Sequence, residues 1–273
     1  MQAGQAVQVR AEIQVVANAT CEHWHTKINI DACRAGKDVY VEKPLANTVE
    51  EARVTRAKWL AKKDKLATQV GTQRHAGPNF NRVREMVLDG AVGTLKHVHA
   101  WGNRELRRPG YLPAAGDPPP YLHYDLWIGP SPMHPYNPGY FGGCLARNMY
   151  WDFGSGQIGD MGSHTIDLAW YPIDATLPTA AVAFGEDFNP DIVPVDMTAT
   201  FDHPANDWRG PITVSWYQGG ALPKSPSGWV DLKKIGHGAM FKGSKGFILA
   251  DFSKRLIIPY GKGADMTYFK HRK

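Results

Sequence analysis

Cysteine and long apolar runs are both scarce in this chain of 273 residues. Its three cysteines, Cys21, Cys33 and Cys144, form no C-x-x-C pair. This argues against a disulfide framework and a zinc ribbon, and it fits a reducing compartment. No stretch approaches the roughly 18 consecutive apolar residues of a membrane-spanning helix, and residues 1–10 lack the apolar core of a signal peptide. We therefore expect a cytoplasmic protein, with export of a longer parent chain left open.

The charge balance is only mildly basic. Lys and Arg number 31 against 26 Asp and Glu, a net charge of +5, and the nearest thing to a basic patch is the cluster at 270–273. This balance predicts no binding to nucleic acid or to a membrane. Apolar residues make up 43% of the chain and charged residues 21%, which excludes a disordered, collagen-like or coiled-coil protein.

The hydrophobic pattern changes near residue 94. Before it, short apolar runs alternate with helical patterns, as expected for a parallel sheet with right-handed crossovers. After it, apolar and polar residues alternate singly at 195–202 and 212–216, which indicates antiparallel strands with one half-buried face. We predict strands at 13–17, 38–41 and 66–70, helices at 24–35, 48–63 and 80–90, and one long helix at 160–171.

The tripeptide Glu42-Lys43-Pro44 follows the second predicted strand. Open α/β sheets bind ligands at the carboxyl ends of their strands, so a lysine there can hold a phosphate or steer a proton. The alternative is a solvated Glu–Lys pair at a strand end.

The spacing of Asp160, His164 and Asp167 places all three on one face of the predicted helix at 160–171. A carboxylate beside an imidazole can orient it as a general base. Three alternatives stay open: Asp160 caps the helix, His164 is a buried histidine with satisfied hydrogen bonds, or the face holds a metal. No third strong ligand lies nearby in the sequence, so we predict no metal site.

Two further segments bear on phosphate binding. Gly154, Gly156 and Gly159 match G-x-G-x-x-G, but no parallel strand precedes them, so we interpret them as a turn that lets substrate approach the backbone. Residues 18–25 lead from a strand end into a helix, whose first N–H groups favour phosphate. An ordinary polar turn is the alternative there.

Six segments stand in order over residues 15–170. They are ATCEHWH at 19–25, AGKDVYVEKP at 35–44, VGTQR at 70–74, GAVG at 90–93, DLWIGP at 125–130, and WDFG to GDMGSH within 151–164. Taken together, these segments resemble the Gfo/Idh/MocA oxidoreductase family. The resemblance implies a partial Rossmann-like dinucleotide-binding domain over 1–93. An α+β domain for substrate binding and oligomerisation, with a large open antiparallel sheet, would follow over 94–273.

The resemblance also implies a reaction and a set of site residues. The reaction is hydride transfer between NAD or NADP and a hydroxyl of a sugar, cyclitol or related polyol. Lys43, His164 and Asp160 match the family's catalytic positions. The implied cofactor contacts are Thr20, His25, Glu42, Lys43 and Gln73. The implied substrate contacts are Arg74, Arg147, Trp151 and Asp152.

Against the family pattern, the sequence is expected to be shortened at both ends. The first βαβ unit, its glycine-rich phosphate turn and the acidic residue for the ribose are not seen. Two rival functions therefore stay open. One is an NAD-dependent glycosidase that acts by transient oxidation and elimination. The other is a non-catalytic module that binds sugar or pairs with a second copy through the open sheet, since homo-oligomers are the common form of assembly.

Overall fold

The structure is a computed structural model that describes residues 10–104 and 107–268. The basic cluster at 270–273 lies outside these ranges. The chain forms two compact units that alternate along the sequence. Of the described residues, unit 1 comprises 10–72, 107–160 and 188–193, and unit 2 comprises 73–104, 161–187 and 194–268. Within the described ranges, every helix is too short or too polar to traverse a bilayer.

Unit 1 contains the parallel sheet that the sequence predicts. Three strands pair in the order β1-β2-β3, with Val16 opposite Val39 and Val41 opposite Val70. Val39 and Val41 are buried. Thr48 and Glu51 form the capping box that opens the second helix. The elements are β1 (Val15–Asn18), α1 (Glu22–Arg34), β2 (Asp38–Glu42), α2 (Val49–Leu60) and β3 (Thr68–Gly71).

The remainder of unit 1 is a proline-rich segment held by aromatic packing. Two short helices, α4 (Tyr124–Ile128) and α5 (Cys144–Arg147), lie within it. Phe153 is fully buried and packs near several of the other rings. The density of aromatic side chains explains why so long a segment without strands is ordered. The buried cluster consists of Tyr124, Ile128, Tyr140, Tyr150, Phe153 and Ile192.

Unit 2 contains a seven-stranded sheet in the order β10-β9-β8-β4-β7-β6-β5. All pairs are antiparallel except β4 with β7. This confirms the predicted α+β architecture with a large, mostly antiparallel sheet. The strands are β4 (Leu95–Gly102), β5 (Ala180–Gly185), β6 (Met197–His203), β7 (Ile212–Tyr217), β8 (His237–Gly243), β9 (Gly246–Ala250) and β10 (Arg255–Pro259).

Two helices of unit 2 differ from their predicted form or place. The helix α3 (Pro78–Leu88) packs within unit 2 against β9 and a 3-10 turn at Tyr171–Ile173, because its apolar face at Phe80 and Val83 is buried there. The helix predicted at 160–171 is α-helical only as α6 (Ser163–Trp170), which packs on β4 and β8.

The contacts thus divide the chain differently from a single boundary at 93–94. The segment 73–104 packs with the antiparallel sheet, and 107–160 belongs again to the unit of the parallel sheet. The chain passes between its two compact units several times, and its composition does not change at each passage. The hydrophobic pattern of the sequence therefore indicates only the largest change, the one near residue 94. The boundary at 93–94 stays a prediction for the functional domains.

One face of the unit 2 sheet carries two stacked histidines. His97 and His99 lie two residues apart on β4, with ring centroids 4.3 Å apart. His97 Nε2 lies 2.8 Å from Ser215 Oγ, and His99 Nδ1 lies 3.0 Å from Tyr217 Oη. Burial, together with His97 and Lys242, lowers the pKa of His99 to about 3. The ring is therefore neutral in the folded protein at neutral pH.

We predict that His99 contributes to acid sensitivity. An unfolded histidine titrates at about pH 6.5, so between about pH 6.5 and 3 the unfolded state binds a proton that folded His99 does not. The stability contributed by neutral His99 is present above that range and is lost as the pH falls. His99→Asn should flatten the fall in the free energy of unfolding between pH 6.5 and 4, by up to about 1.4 kcal/mol per pH unit.

Urea unfolding at several pH values measures this slope. The exposed His123 supplies the matched control, His123→Asn. An unchanged slope in His99→Asn would contradict the assignment.

Candidate active site

The candidate site of unit 1 is built at the carboxyl edge of the parallel sheet. Lys43 follows the last residue of β2, and its ammonium pairs with the carboxylate of Asp160. Lys43 Nζ also donates to the Asp160 carbonyl oxygen at 3.2 Å. The two side chains are 16% and 8% exposed, so water screens their charges less than it would at the surface. The predicted catalytic lysine and aspartate are therefore brought together.

Asp160 contacts the Lys43 ammonium through both its side chain and its backbone. An ammonium carries three N–H donors, and the carboxylate and carbonyl of Asp160 accept two of them. The remaining donor can serve the oxygen of a bound molecule. A cation fixed in this way can stabilise a negative charge that develops on that oxygen.

A π-helical turn at Ile158–Gly162 presents Asp160. A Cβ added at Gly159 would overlap the Ser155 hydroxyl, which would have to turn aside, so glycine relieves crowding at this position of the turn. The expected α-helical spacing does not reach back to Asp160, because regular α-helix begins only at Ser163. Single π turns are frequent at functional sites.

The G-x-G-x-x-G glycines pack against protein in unit 1. A Cβ at Gly154 would lie 2.5 Å from Asn148 Cα, and one at Gly156 would lie 2.6 Å from Val193 Cγ2. No strand of the three-stranded sheet leads into them. The glycines therefore allow the chain to pack closely on itself. The sequence analysis had interpreted them as a turn that lets substrate approach the backbone.

A second ion pair lies close to the first. Arg147 Nε donates to Glu22 Oε2 at 2.7 Å, and Glu22 is buried at the start of α1. Burial raises the pKa of the Cys144 thiol; Asp160 and Glu22 raise it further, and Lys43 opposes them. Both pairs therefore act on this one thiol. Since Arg147 has Glu22 as a partner, it supports the edge of the sheet as well as being a predicted substrate contact.

His25 ties together the loops that follow β1 and β2. Its Nδ1 lies 2.6 Å from the Pro44 carbonyl oxygen and its Nε2 lies 3.2 Å from the Thr20 carbonyl oxygen. The ring is 1% exposed. Thr20 Oγ1 donates to Asn18 Oδ1 at 2.7 Å. His25 therefore holds the backbone beside Lys43, which supports a positioning role over direct contact with a cofactor.

Trp151 and Asp152, predicted to contact substrate, both have partners in unit 1. Trp151 Nε1 donates to the Asn189 carbonyl oxygen at 2.9 Å. The Asp152 carboxylate accepts from Tyr111 Oη at 2.6 Å and lies 2.8 Å from His134 Nε2. Burial and the Asp152 carboxylate raise the pKa of the Tyr111 hydroxyl. Asp152 thus joins distant parts of the proline-rich segment.

Three of the predicted residues, His164, Gln73 and Arg74, lie in unit 2. His164 is 6% exposed on α6, and its ring meets the Phe252 ring edge to face, with the ring centroids 5.8 Å apart. Gln73 and Arg74 belong to a 3-10 turn at Gln73–Ala76 that packs on α6. The Arg74 guanidinium lies over the Phe252 ring at 5.2 Å.

Sequence reasoning missed His75. Its Nδ1 donates to Asp167 Oδ2 at 2.8 Å. Burial raises the pKa of Asp167, and the hydrogen bond from His75 opposes the rise. The carboxylate assigned to a helix face thus fastens the turn that carries Gln73 and Arg74. No spacing in the sequence could indicate this, because the partners lie 92 residues apart.

Glu42 completes the edge of the sheet at the end of β2. A Cβ at Gly71, on the neighbouring strand, would lie 2.9 Å from Glu42 Oε2, so glycine there makes room for the carboxylate. Among the described residues, no group of three His, Cys, Asp or Glu is arranged to hold a metal ion.

We predict that Lys43 and Asp160 are energetically coupled. Lys43→Met and Asp160→Asn should each lower the free energy of unfolding, and the double variant should lose less than their sum, by about 1–3 kcal/mol. Urea denaturation of the four proteins measures the coupling. The Lys27–Asp31 pair on α1, with one side chain 33% exposed, is the control and should couple by no more than about 0.5 kcal/mol. Equal coupling in both pairs would contradict the account.

Comparison with known proteins places the chain among relatives of known type. It is 30% identical over 166 residues to levoglucosan dehydrogenase of Pseudarthrobacter phenanthrenivorans, covering 59% of this chain and 33% of that protein. It is 34% identical over 102 residues to alpha-N-acetylgalactosaminidase of Shewanella oneidensis, covering 36% of this chain and 21% of that enzyme. The chain therefore spans about a third or less of these curated relatives.

The fold matches solved structures over nearly its whole length. A crystal structure of an inositol dehydrogenase homolog from Azotobacter vinelandii, complexed with NADH and myo-inositol, aligns with a TM-score of 0.58 at 19% identity. The alignment covers 93% of this chain and 55% of that one. At this identity the match supports the fold.

Two family models identify the two parts of the chain. The oxidoreductase family, NAD-binding Rossmann fold, matches residues 5–72. The oxidoreductase family, C-terminal alpha/beta domain, matches residues 102–222. Both describe the same family, and together they match more than half of the sequence. The chain belongs to the Gfo/Idh/MocA oxidoreductase family.

Proposed function

We propose that this protein is an oxidoreductase that transfers a hydride between NAD or NADP and a hydroxyl of a sugar, cyclitol or related polyol. The observation that carries the proposal is the Lys43–Asp160 ion pair at the carboxyl edge of the parallel sheet. This edge is where open α/β sheets bind their ligands. The segment that contains the sheet matches the family's NAD-binding model.

The side chains at this edge fit the nicotinamide half of a dinucleotide. Glu42 presents a carboxylate that can accept hydrogen bonds from ribose hydroxyls, and Thr20 lies at the end of the neighbouring strand. Lys43 supplies the cation, and His25 holds its loop. Gln73, an exposed amide in unit 2, is carried over from the family resemblance. When bound, the oxidised cofactor accepts a hydride from the carbon that bears the hydroxyl.

Lys43 acts on the oxygen of the reacting hydroxyl. As the proton leaves, negative charge develops on that oxygen, and the Lys43 ammonium stabilises it by a charge-assisted hydrogen bond. Asp160 holds the ammonium in one orientation through two contacts. The pair therefore favours the alkoxide-like transition state over the neutral alcohol.

His164 is the residue to which the family resemblance assigns the proton of the hydroxyl. Its place on a packed helix, 6% exposed, suits a general base that must keep one orientation. Arg74 is a predicted substrate contact with an exposed side chain. Three other predicted substrate contacts, Arg147, Trp151 and Asp152, already form hydrogen bonds with protein groups. We propose that they act on substrate partly by holding the surrounding segments in place.

The similarity to alpha-N-acetylgalactosaminidase favours a second candidate. In that case the chain would cleave a glycosidic bond by transient oxidation and elimination, with no net reduction of the cofactor. The same lysine and general base would serve, since both reactions begin with removal of a hydroxyl proton and a hydride.

The test is turnover by the purified chain with NAD⁺ or NADP⁺ and a panel of inositols, aldoses and anhydrosugars. We expect absorbance at 340 nm to rise with at least one of these substrates. Lys43→Met should lower kcat by about 100-fold or more, the usual effect of removing a donor to a developing oxyanion. Lys58→Met, at an exposed site on α2, is the control and should not change the rate.

Two results would redirect the proposal. Release of nitrophenol from a nitrophenyl glycoside without net NADH would select the glycosidase. Full turnover by Lys43→Met would remove the assigned role of the lysine.

We further propose that two copies associate through the open sheet. Every residue of β5 is exposed, and Val182 and Phe184 are 48% and 68% exposed. An exposed, uncharged edge strand is an available surface for pairing.

The three cysteines are free thiols, which supports a reducing compartment for this protein.

Phe184→Lys should convert the assembly to monomer, because a charge cannot be buried there without a partner. Sedimentation velocity measures the change. Val49→Lys, at a 70% exposed site on α2, is the control and should leave the assembly intact. A wild-type chain that sediments as a monomer would contradict the proposal.

A further inference from the structure

Phe252 is the centre of a polar cluster in unit 2. The His237 ring lies 4.6 Å from the Phe252 ring, and His164 meets the same ring at 5.8 Å, edge to face. The Arg74 guanidinium lies over the Phe252 ring at 5.2 Å. One aromatic side chain thus gathers two imidazoles and a guanidinium. We call these four residues the Phe252 cluster.

Arg104 adds a second guanidinium beside this cluster. It lies two residues after β4 ends, and Gly102 at that end pairs with His237 at the start of β8. Burial lowers the pKa of His237, and the charges of Arg104 and Arg74 lower it further. Both guanidinium groups therefore act on the same imidazole from neighbouring elements.

Among the described residues, Asp251 is the carboxylate that acts against them. It raises the pKa of His237. Its Oδ1 accepts hydrogen bonds from the Ser253 and Lys254 backbone N–H groups and from Ser253 Oγ. This carboxylate is thus engaged in its own turn.

The two guanidinium groups keep their charges available. Arg74 and Arg104 are both exposed. Across residues 10–104 and 107–268, no carboxylate lies within ion-pair distance of either one. Two arginines against one engaged carboxylate leave a net positive region with unused donors. A planar guanidinium binds carboxylate or phosphate oxygens with two parallel hydrogen bonds.

We propose that Arg74, Arg104 and His237 form an anion-binding subsite beside His164, and that the substrate is a sugar or polyol carrying an anionic group. His164 links the subsite to the chemistry, because it shares the Phe252 ring with Arg74 and His237. The substrate class rests on the proposed function, in which His164 takes the proton of the reacting hydroxyl. The subsite itself rests on the geometry around Phe252 and on the strand pairing that brings Arg104 close to His237.

The test compares three probes that share one ring. Glucose is neutral, glucuronate carries a carboxylate, and glucose 6-phosphate carries a phosphate. We expect calorimetric titration of the purified chain to give an affinity at least about tenfold higher for one anionic probe than for glucose. The preferred anion distinguishes carboxylate from phosphate.

Variants of the subsite residues test whether they cause the preference for an anionic probe. Arg104→Gln should lower affinity for the preferred anion about tenfold more than affinity for glucose, the effect of losing one charge-assisted contact. Arg74→Gln should do the same. His237→Asn should produce a smaller loss, since it keeps a hydrogen-bonding side chain. Arg53→Gln, an exposed arginine on α2 in unit 1, is the matched control and should leave the preference unchanged.

The outcomes separate the subsite from the proposed function. Equal binding of the three probes, or no binding of any, would overturn the subsite even if the protein oxidises neutral sugars. Arginine-dependent binding of the anion without turnover would support the subsite and count against the oxidoreductase. If Arg104→Gln weakened NADPH binding and left the sugar preference unchanged, the arginines would belong to the cofactor and the inference would fail.

Discussion

The ion pair between Lys43 and Asp160 is the interaction on which the candidate site depends. An unpaired charge buried to this degree would cost several kcal/mol, so each group stabilises the other in this position. The pair joins a sheet edge to a π turn that lies 117 residues further along the chain. The same geometry that stabilises the lysine also aims its remaining donor away from the aspartate. Stability and chemistry are therefore served by one contact.

The surroundings of this pair explain why it is held in one arrangement. His25 lies between the carbonyl groups of the two loops beside Lys43, within hydrogen-bond distance of each. The Glu22–Arg147 pair and the Lys43–Asp160 pair both lie within electrostatic range of the Cys144 thiol. In unit 2, the bond between His75 and Asp167 plays a comparable part, because it fastens the turn that carries Arg74 to the helix that carries His164. Both units thus use buried polar contacts to fix short irregular segments.

The sequence predicted the regular elements well and the irregular ones poorly. The parallel strands and the alternating strands of the large sheet were predictable because periodicity records burial directly. The pairing of Lys43 with Asp160 was not, although resemblance had indicated both residues. The π turn broke the helical spacing on which the face of Asp160, His164 and Asp167 depended. His75 could not be found, because hydrogen bonds between distant segments leave no local pattern.

Binding of a dinucleotide by this chain is the property whose measurement tests the proposed function most directly. The purified protein can be titrated with NADH and NADPH while the cofactor's fluorescence and the protein's melting temperature are followed together. We predict saturable binding of one of the two, with a rise in melting temperature equivalent to about 2–3 kcal/mol when the cofactor is present at 100 times its Kd. A chain that melts cooperatively, yet gives no change in fluorescence or melting temperature with either cofactor, would contradict the account.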